Sequence, residues 1–539
     1  MRLRTTLIAA AALSALASGA HAAPPRKRPA TTTNAALLEQ IRALRAEVAA
    51  LREQVDAQQK GQAEAAARID RAQAKAEQAQ TEVAAAVATP PVTHDQVAAQ
   101  IAGAIEREHH ADTIHFKGIT ITPGGYLELA GIYRDHFQGN DIGSSFNIPF
   151  PNNRPAHEHE GRFSARQSRL SFLAQGNVNP DVTLAMFGDF DFLGGAQTAN
   201  SNQSNSFNLR VRDLYGTIDW AHGGNGLHLL AGQIWSLVTM NSKGITPRNE
   251  VTPPQIDAQY VPGFFWARQP GVRLAGDFLD HRLWLAVSAE NPQTTFGGTV
   301  PASVTNAAPA GSGFDSANTL SLNHVPDLIA KAAYEANAGG HGVHVEGFVI
   351  TRAFEEHFNG GGNSSARTLG YGGSIGVQVA PGLIDAQFSG FGGKGIGRYG
   401  SAGLPDVTFS GDGRLHPISE YMLLAGLTLH ASRQVDIYGF AGEEHAFAAF
   451  AANDGTFGYG NPLANNGGCF VEGGTCAGST RRIRQLTLGL WDKFYQGAFG
   501  RAQVGVQYSY TQRQLFEGVG GMPQTGNSMG FVAFRYYPF

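Results

Sequence analysis

Residues 502–511 read Ala502-Gln503-Val504-Gly505-Val506-Gln507-Tyr508-Ser509-Tyr510-Thr511. Even positions are apolar or aromatic; odd positions are polar or glycine. Side chains of a strand alternate between its two faces, so one face of this segment suits lipid and the other water. The same period of two sets Val182, Leu184, Met186, Phe190 and Phe192 against Thr183, Ala185, Asp189 and Asp191, and it returns in Leu423, Ala425, Leu427 and Leu429. Beyond the N-terminal leader the chain has no run of about 18 apolar residues, the length a spanning helix needs. Its mean hydropathy is −0.18. A transmembrane barrel satisfies both observations, because its strands only alternate.

Working outward from 502–511, segments of this kind predict an all-β transmembrane barrel of about 16 antiparallel strands. They run over 119–134, 162–178, 180–192, 207–220, 226–237, 264–278, 281–291, 327–337, 341–356, 366–380, 382–394, 416–431, 433–447, 480–493, 499–515 and 526–539. Every second connection is short: Asn179-Pro180, 222–225, Asp280, 338–340, Pro381, Ser432 and 494–497. The others are long: 135–161, 193–206, 238–263, 292–326, 357–365, 395–415, 448–479 and 516–525. Short periplasmic turns alternating with long outer loops mark a bacterial outer-membrane barrel. A soluble β-sandwich has no reason to keep that order over eight hairpins.

The N-terminus fits this destination. Arg2 and Arg4, an apolar run from Leu7 to Leu16, and Ala20-His21-Ala22 form a signal peptide over 1–22, with the mature chain starting at Ala23. Residues 23–33 are a basic, Pro-containing segment expected to be disordered. Leu37, Ile41, Leu44, Val48, Leu51 and Val55 then alternate in steps of four and three, continued by Ile69, Ala76 and Val83. This predicts a periplasmic α-helical coiled-coil arm over 34–89, closed by Pro90-Pro91. β-Branched residues with leucine in such a repeat favour two helices. A linker with a short helix (Val97, Ile101, Ile105) and a solvated His109-His110 covers 90–116, and the barrel occupies 117–539.

Composition narrows the function. There are 68 glycines and two cysteines in 539 residues. Cys469 and Cys476, with six residues between them, are expected to form a loop-closing disulfide in an oxidising compartment. From Lys117 onward, 5 Lys and 22 Arg stand against 32 Asp plus Glu, which points away from nucleic acid. His157-Glu158-His159-Glu160 reads as a solvated loop rather than a metal site. No Ser/His/Asp arrangement stands out, and no segment offers the Ser and His of a barrel phospholipase. The sequence therefore predicts no enzyme, no metal site and no cofactor.

Candidate pore residues come from strand parity. Arg169 and Arg273 oppose their apolar neighbours and should face the lumen; Arg352 and Arg513 extend polar strand faces. Arg210, Arg212 and Arg268 lie near the same level in ambiguous register. The third long connection, 238–263, holds Lys243, Arg248, Glu250 and Asp257 with four prolines, and is a candidate inward-folded loop or a surface loop. A ring of guanidinium groups in water would attract anions, with steering that weakens in salt. The other reading pairs these arginines with Glu128, Asp189, Asp191 and Glu346.

The arm, followed by Thr122-Pro123-Gly124-Gly125-Tyr126-Leu127-Glu128-Leu129 and Arg166-Gln167-Ser168-Arg169-Leu170, resembles the DcaP-like porins, distant relatives of the phosphate-selective O/P porins. The terminal Phe539 looks like the signal read by the barrel assembly machinery. The resemblance implies a homotrimer in the cell outer membrane taking up small anionic solutes such as dicarboxylates, with Arg166 and Arg169 as matched positions that contact solute. Expected partners are outer-membrane lipid and lipopolysaccharide, with peptidoglycan contact through the arm. The alternative is a structural tether from outer membrane to cell wall. A trimeric adhesin builds one barrel from a few strands per chain, and this chain has too many.

Overall fold

The computed structural model describes residues 113–195, 208–304, 323–358, 362–451 and 455–539. The predicted signal peptide, basic segment, coiled coil and linker helix lie outside the described residues. The described chain begins with a short strand, β1 (Ile114–Phe116), which folds back antiparallel on β2 (Ile119–Arg134).

The strands that follow are β3 (Glu160–Ser164), β4 (Arg169–Asn179), β5 (Val182–Asp191), β6 (Arg210–His222), β7 (Asn225–Trp235), β8 (Arg268–Phe278), β9 (Leu283–Glu290) and β10 (Asp327–Ala338). Next come β11 (His341–Phe358), β12 (Gly362–Ala380), β13 (Ile384–Lys394), β14 (Val407–Phe409), β15 (Leu415–Pro417), β16 (Ser419–His430), β17 (Val435–Ala446), β18 (Thr480–Gly497), β19 (Gly500–Leu515) and β20 (Gln524–Tyr537). β20 pairs with both β19 and β2, which closes the sheet. With β3 and β4 taken as one interrupted strand, sixteen antiparallel strands form the barrel wall. Closure leaves no edge and satisfies the ladder groups within the protein, a condition for crossing hydrocarbon.

The alternation seen in 502–511 sorts the wall as expected. Val504, Val506, Tyr508 and Tyr510 are exposed on the outside, whereas Gln503, Gln507, Ser509 and Thr511 are buried within. Three details differ from the sequence reading. The second strand breaks at 165–168, where the Glu128 amide donates to the Ser168 hydroxyl (2.9 Å) in place of a ladder partner. β11 reaches Phe358 and β12 starts at Gly362, so both strands run into the connection expected over 357–365. The strand expected from 264 starts at Arg268, since Phe264 and Phe265 belong to a loop packed inside the barrel.

That interior packing dominates the lumen. Leu237, Val238 and Ile245 pack with Trp284, Ile329, Phe348 and Ile350 on the β9–β11 side. Ile256, Tyr260, Val261 and Phe264 pack with Tyr438, Phe440, Trp491 and Phe531 on the β17–β20 side. The segment between β7 and β8 therefore crosses the lumen.

Candidate functional site: the lumen constriction

A loop inside a barrel must find partners for its backbone amides. Wall side chains supply them. Asn241 N donates to Glu346 (3.2 Å), Gly244 N to Glu335 (2.6 Å), Ile256 N to Gln507 (2.5 Å) and Gly263 N to Glu444 (2.9 Å). In return, Lys331 Nζ donates to the Thr239 carbonyl (2.8 Å) and Trp491 Nε1 to that of Pro254 (2.8 Å). Gly263 has φ 89° and lies so close to the wall that a Cβ there would run into the Leu423 carbonyl. Only glycine fits that approach.

A second connection also turns inward, which the sequence reading did not foresee. Between β13 and β16, Ile396, Tyr399 and Leu404 are buried, followed by the β14–β15 ribbon. It leans on the crossing loop: Trp266 N donates to the Tyr399 carbonyl (2.7 Å), and Ser401 N to that of Phe264 (3.1 Å). Ala402 N donates to the same Glu444 oxygen as Gly263 N, at 2.9 Å. One wall carboxylate thus holds both inward loops.

Opposite these loops, the β4–β8 wall carries the arginines. Arg210 pairs with Asp191 (2.6 Å), and Arg212 bridges Asp189 (2.9 Å) and Asp191 (3.1 Å). Arg169 lies 3.8 Å from Asp189. The ambiguous register of β6 has a physical cause: a β-bulge opposite Asp189 and Phe190 turns both Arg212 and Asp213 inward. Arg248 donates to the Tyr215 hydroxyl (3.3 Å). Arg268 lies against a pair of touching indoles, 5.1 Å from the Trp235 ring and 5.1 Å from the Trp266 ring, whose centroids are 5.7 Å apart, and its buried Nε and Nη1 make no hydrogen bond. A cavity of about 200 Å³ opens between wall and loop, lined by Arg169, Arg212, Arg248, Asp189, Asp213 and Glu250.

The other predicted positions are scattered. Arg166 pairs with Asp141 (3.2 Å) and donates to the carbonyls of Phe192 and Gly194. Arg273 is buried and donates to the Trp235 carbonyl (2.5 Å). Arg513 donates to Thr480 and to the Ile148 carbonyl. Lys243 is exposed at a separate space of about 390 Å³ shared with Glu335, His344 and Asp385, toward the short-turn end. Arg352 is 1 % exposed and held between Asp327 (3.0 Å) and Asp406 (2.6 Å), away from the arginine wall. The acids expected to pair across the lumen mostly pair along the wall: Glu128 with Arg535 (2.7 Å) and Glu346 with Lys331 (2.7 Å). Cys469 and Cys476 are disulfide-bonded.

Sequence reasoning missed Asp213, Trp235, Trp266, Asp406 and Glu444. Trp266 and Arg268 stand two residues apart, a local hint of the cation–π contact; the carboxylates carry no local signal.

No family model matches the chain, and no curated protein matches it. Among solved structures, the outer-membrane channel DcaP of Acinetobacter baumannii superposes with a TM-score of 0.56 at 15% identity, over 79% of this chain and 99% of that one. The fold is that of an outer-membrane porin. OprB of Pseudomonas putida (TM-score 0.45, 11% identity, 81% and 96% covered) and an anion-selective porin from Comamonas acidovorans (0.41, 10%, 78% and 99%) are also similar. The expected likeness to DcaP-like porins thus holds at the level of the fold.

Proposed function

We propose that this porin forms a water-filled, anion-preferring channel for passive uptake of small solutes such as dicarboxylates, working as a homotrimer. The observation that carries the reading is the imbalance at the constriction. Arg169, Arg210, Arg212, Arg248 and Arg268 face Asp189, Asp191, Asp213 and Glu250, and Arg268 keeps two nitrogens without an acceptor. Cation–π contact with Trp235 and Trp266 holds that guanidinium in place without neutralising it. An anion passing the crossing loop would meet the field of these guanidinium groups and the donors of Arg169, Arg212 and Arg248 that line the cavity.

Reversal potentials of purified protein in planar bilayers test this. Chloride preference is expected, declining as salt rises; cation preference overturns the reading. In Arg268→Gln the loss of one lumen charge, worth on the order of 1 kcal/mol at a water-like dielectric, should lower the anion-to-cation permeability ratio about fivefold.

A second reading draws on the two inward loops that pack across the lumen. In it the barrel is a closed envelope tether and the N-terminal arm reaches the cell wall. Absence of any conductance in the same bilayers favours that reading.

A further inference from the structure

The outer face of β16–β19 combines features that a bare lipid-facing wall does not need. Arg482 and Arg484 on β18 share the outward side with Leu486 and Leu488, at the long-loop end of the strand. The ladder shifts between Thr480 and Arg482, making Arg481 an extra residue, and its guanidinium reaches the exposed Met522 sulfur (3.3 Å). A bulge of this kind re-aims a side chain.

Cross-strand register fixes what surrounds them. Arg484 stands opposite Glu443 and Gln512; Arg482 stands opposite His445, which in turn faces Tyr421. Glu443 accepts the Tyr421 hydroxyl (2.7 Å) and lies 3.9 Å from Arg482. Arg484 donates to Gln512 (2.6 Å), and Arg482 Nε has no hydrogen-bond partner. Arg482 and Arg484 therefore share Glu443 as their neighbouring carboxylate, while Arg481 turns to Met522.

One row toward the membrane centre, the side chains turn small and apolar. Leu486 faces Ala441, Ala441 faces Ala425, and Ala425 faces Phe388. The two alanines leave a trough of about 530 Å³ between Leu423 and Phe388 on one side and Leu486 and Tyr510 on the other, rimmed by Glu443, Arg484 and Gln512.

We propose that this face is a binding site for a phosphorylated glycolipid of the outer leaflet, with an acyl chain in the trough and a phosphate on Arg481, Arg482 and Arg484. Guanidinium groups bind phosphate oxygens through charge-assisted, often paired hydrogen bonds. The arginines lie at the end of the strand where headgroups begin, and the trough lies where hydrocarbon begins. A second copy of this chain would have to bring acidic groups to the same level; the leaflet already presents phosphate there. The site is on the outside of the wall and does not depend on the anion-channel reading.

The test uses full-length protein in detergent, titrated with bisphosphorylated lipid A and with its dephosphorylated form, and bound lipid counted by native mass spectrometry. The triple variant Arg481→Gln/Arg482→Gln/Arg484→Gln should bind the phosphorylated lipid about tenfold more weakly or worse, since each lost charged hydrogen bond is worth a factor of that order. The dephosphorylated lipid should bind both proteins alike. Ala441→Trp, which fills the trough, should weaken both lipids. Thermal unfolding followed by circular dichroism should stay unchanged in every variant, reporting intact barrels. If the triple variant fails to insert, Arg484→Gln alone should still separate the two lipids. Equal affinity of parent and arginine variant for the phosphorylated lipid overturns the proposal. So does a change in oligomer mass with lipid binding unchanged, which would make the face an interface between copies.

Discussion

Arg352 shows what an arginine can do in a barrel without meeting the solute. Its guanidinium is enclosed between Asp327 and Asp406 and stacks 4.8 Å from the Phe354 ring. Asp327 also accepts the Tyr399 hydroxyl (2.8 Å), and the Asp406 carboxylate accepts the amides of Thr295 (2.9 Å) and Arg398 (3.1 Å). One buried cation thus joins β10, β11 and the connection between β13 and β16. Removing one member of such a buried pair costs about 3–5 kcal/mol, because the charges left behind lose their partner. Arg352→Ala should therefore lower the thermal unfolding temperature of the purified barrel while leaving ion preference unchanged. Arg268→Gln should do the reverse. If Arg352→Ala shifted selectivity as strongly as Arg268→Gln, the separation between a structural and a lumen-facing arginine would be wrong.

At the scale of elements, the constriction is two loops held by one wall carboxylate. Glu444 accepts the amides of Gly263 and Ala402, and Glu420 accepts that of Ile396 at 3.0 Å. Glu444→Leu leaves two enclosed amides unpaired, at about 1–3 kcal/mol each. The loops should then leave the β16–β17 wall. Single-channel recordings should show larger and noisier conductance than the parent. Unchanged conductance would mean that the apolar contacts of Val261 and Phe264 alone hold the crossing loop. The disulfide loop acts at the rim instead: Asn152 N donates to the Cys469 carbonyl and Gly473 N to the Asn152 carbonyl, both at 3.0 Å. This joins the long connection after β17 to the one after β2.

At the scale of the molecule, the predicted arm and the proposed homotrimer can be tested together. An arm of about 55 residues spans roughly 80 Å if helical. Its heptad chemistry favours two helices, while the porin resemblance implies three subunits. If the protein is the proposed trimer and the barrel wall sets the count, deleting 34–89 should leave that trimer intact by native mass spectrometry. Dissociation to monomers would assign that role to the arm. Disturbed envelope integrity with normal conductance would favour a tethering role beside the channel.

The residues around 502–511 already contained the barrel, because strand period and the exclusion of unpaired backbone from lipid are local constraints. Their apolar face is the outer face in the structure, and the alternation of short and long connections placed most strand ends within a few residues. Arg169 and Arg273 were assignable to the lumen for the same reason. The register of Arg212 was not, because a bulge adds a residue without any mark in composition. The contents of the lumen were decided by the tertiary structure alone. Glu444 reaches an amide 181 residues away, and Arg352 meets an aspartate 54 residues away. Whether an arginine finds an acid or stays open to solute depends on which wall positions closure brings together. Alternation along one strand says which side a residue faces; only the closed barrel says what it faces there.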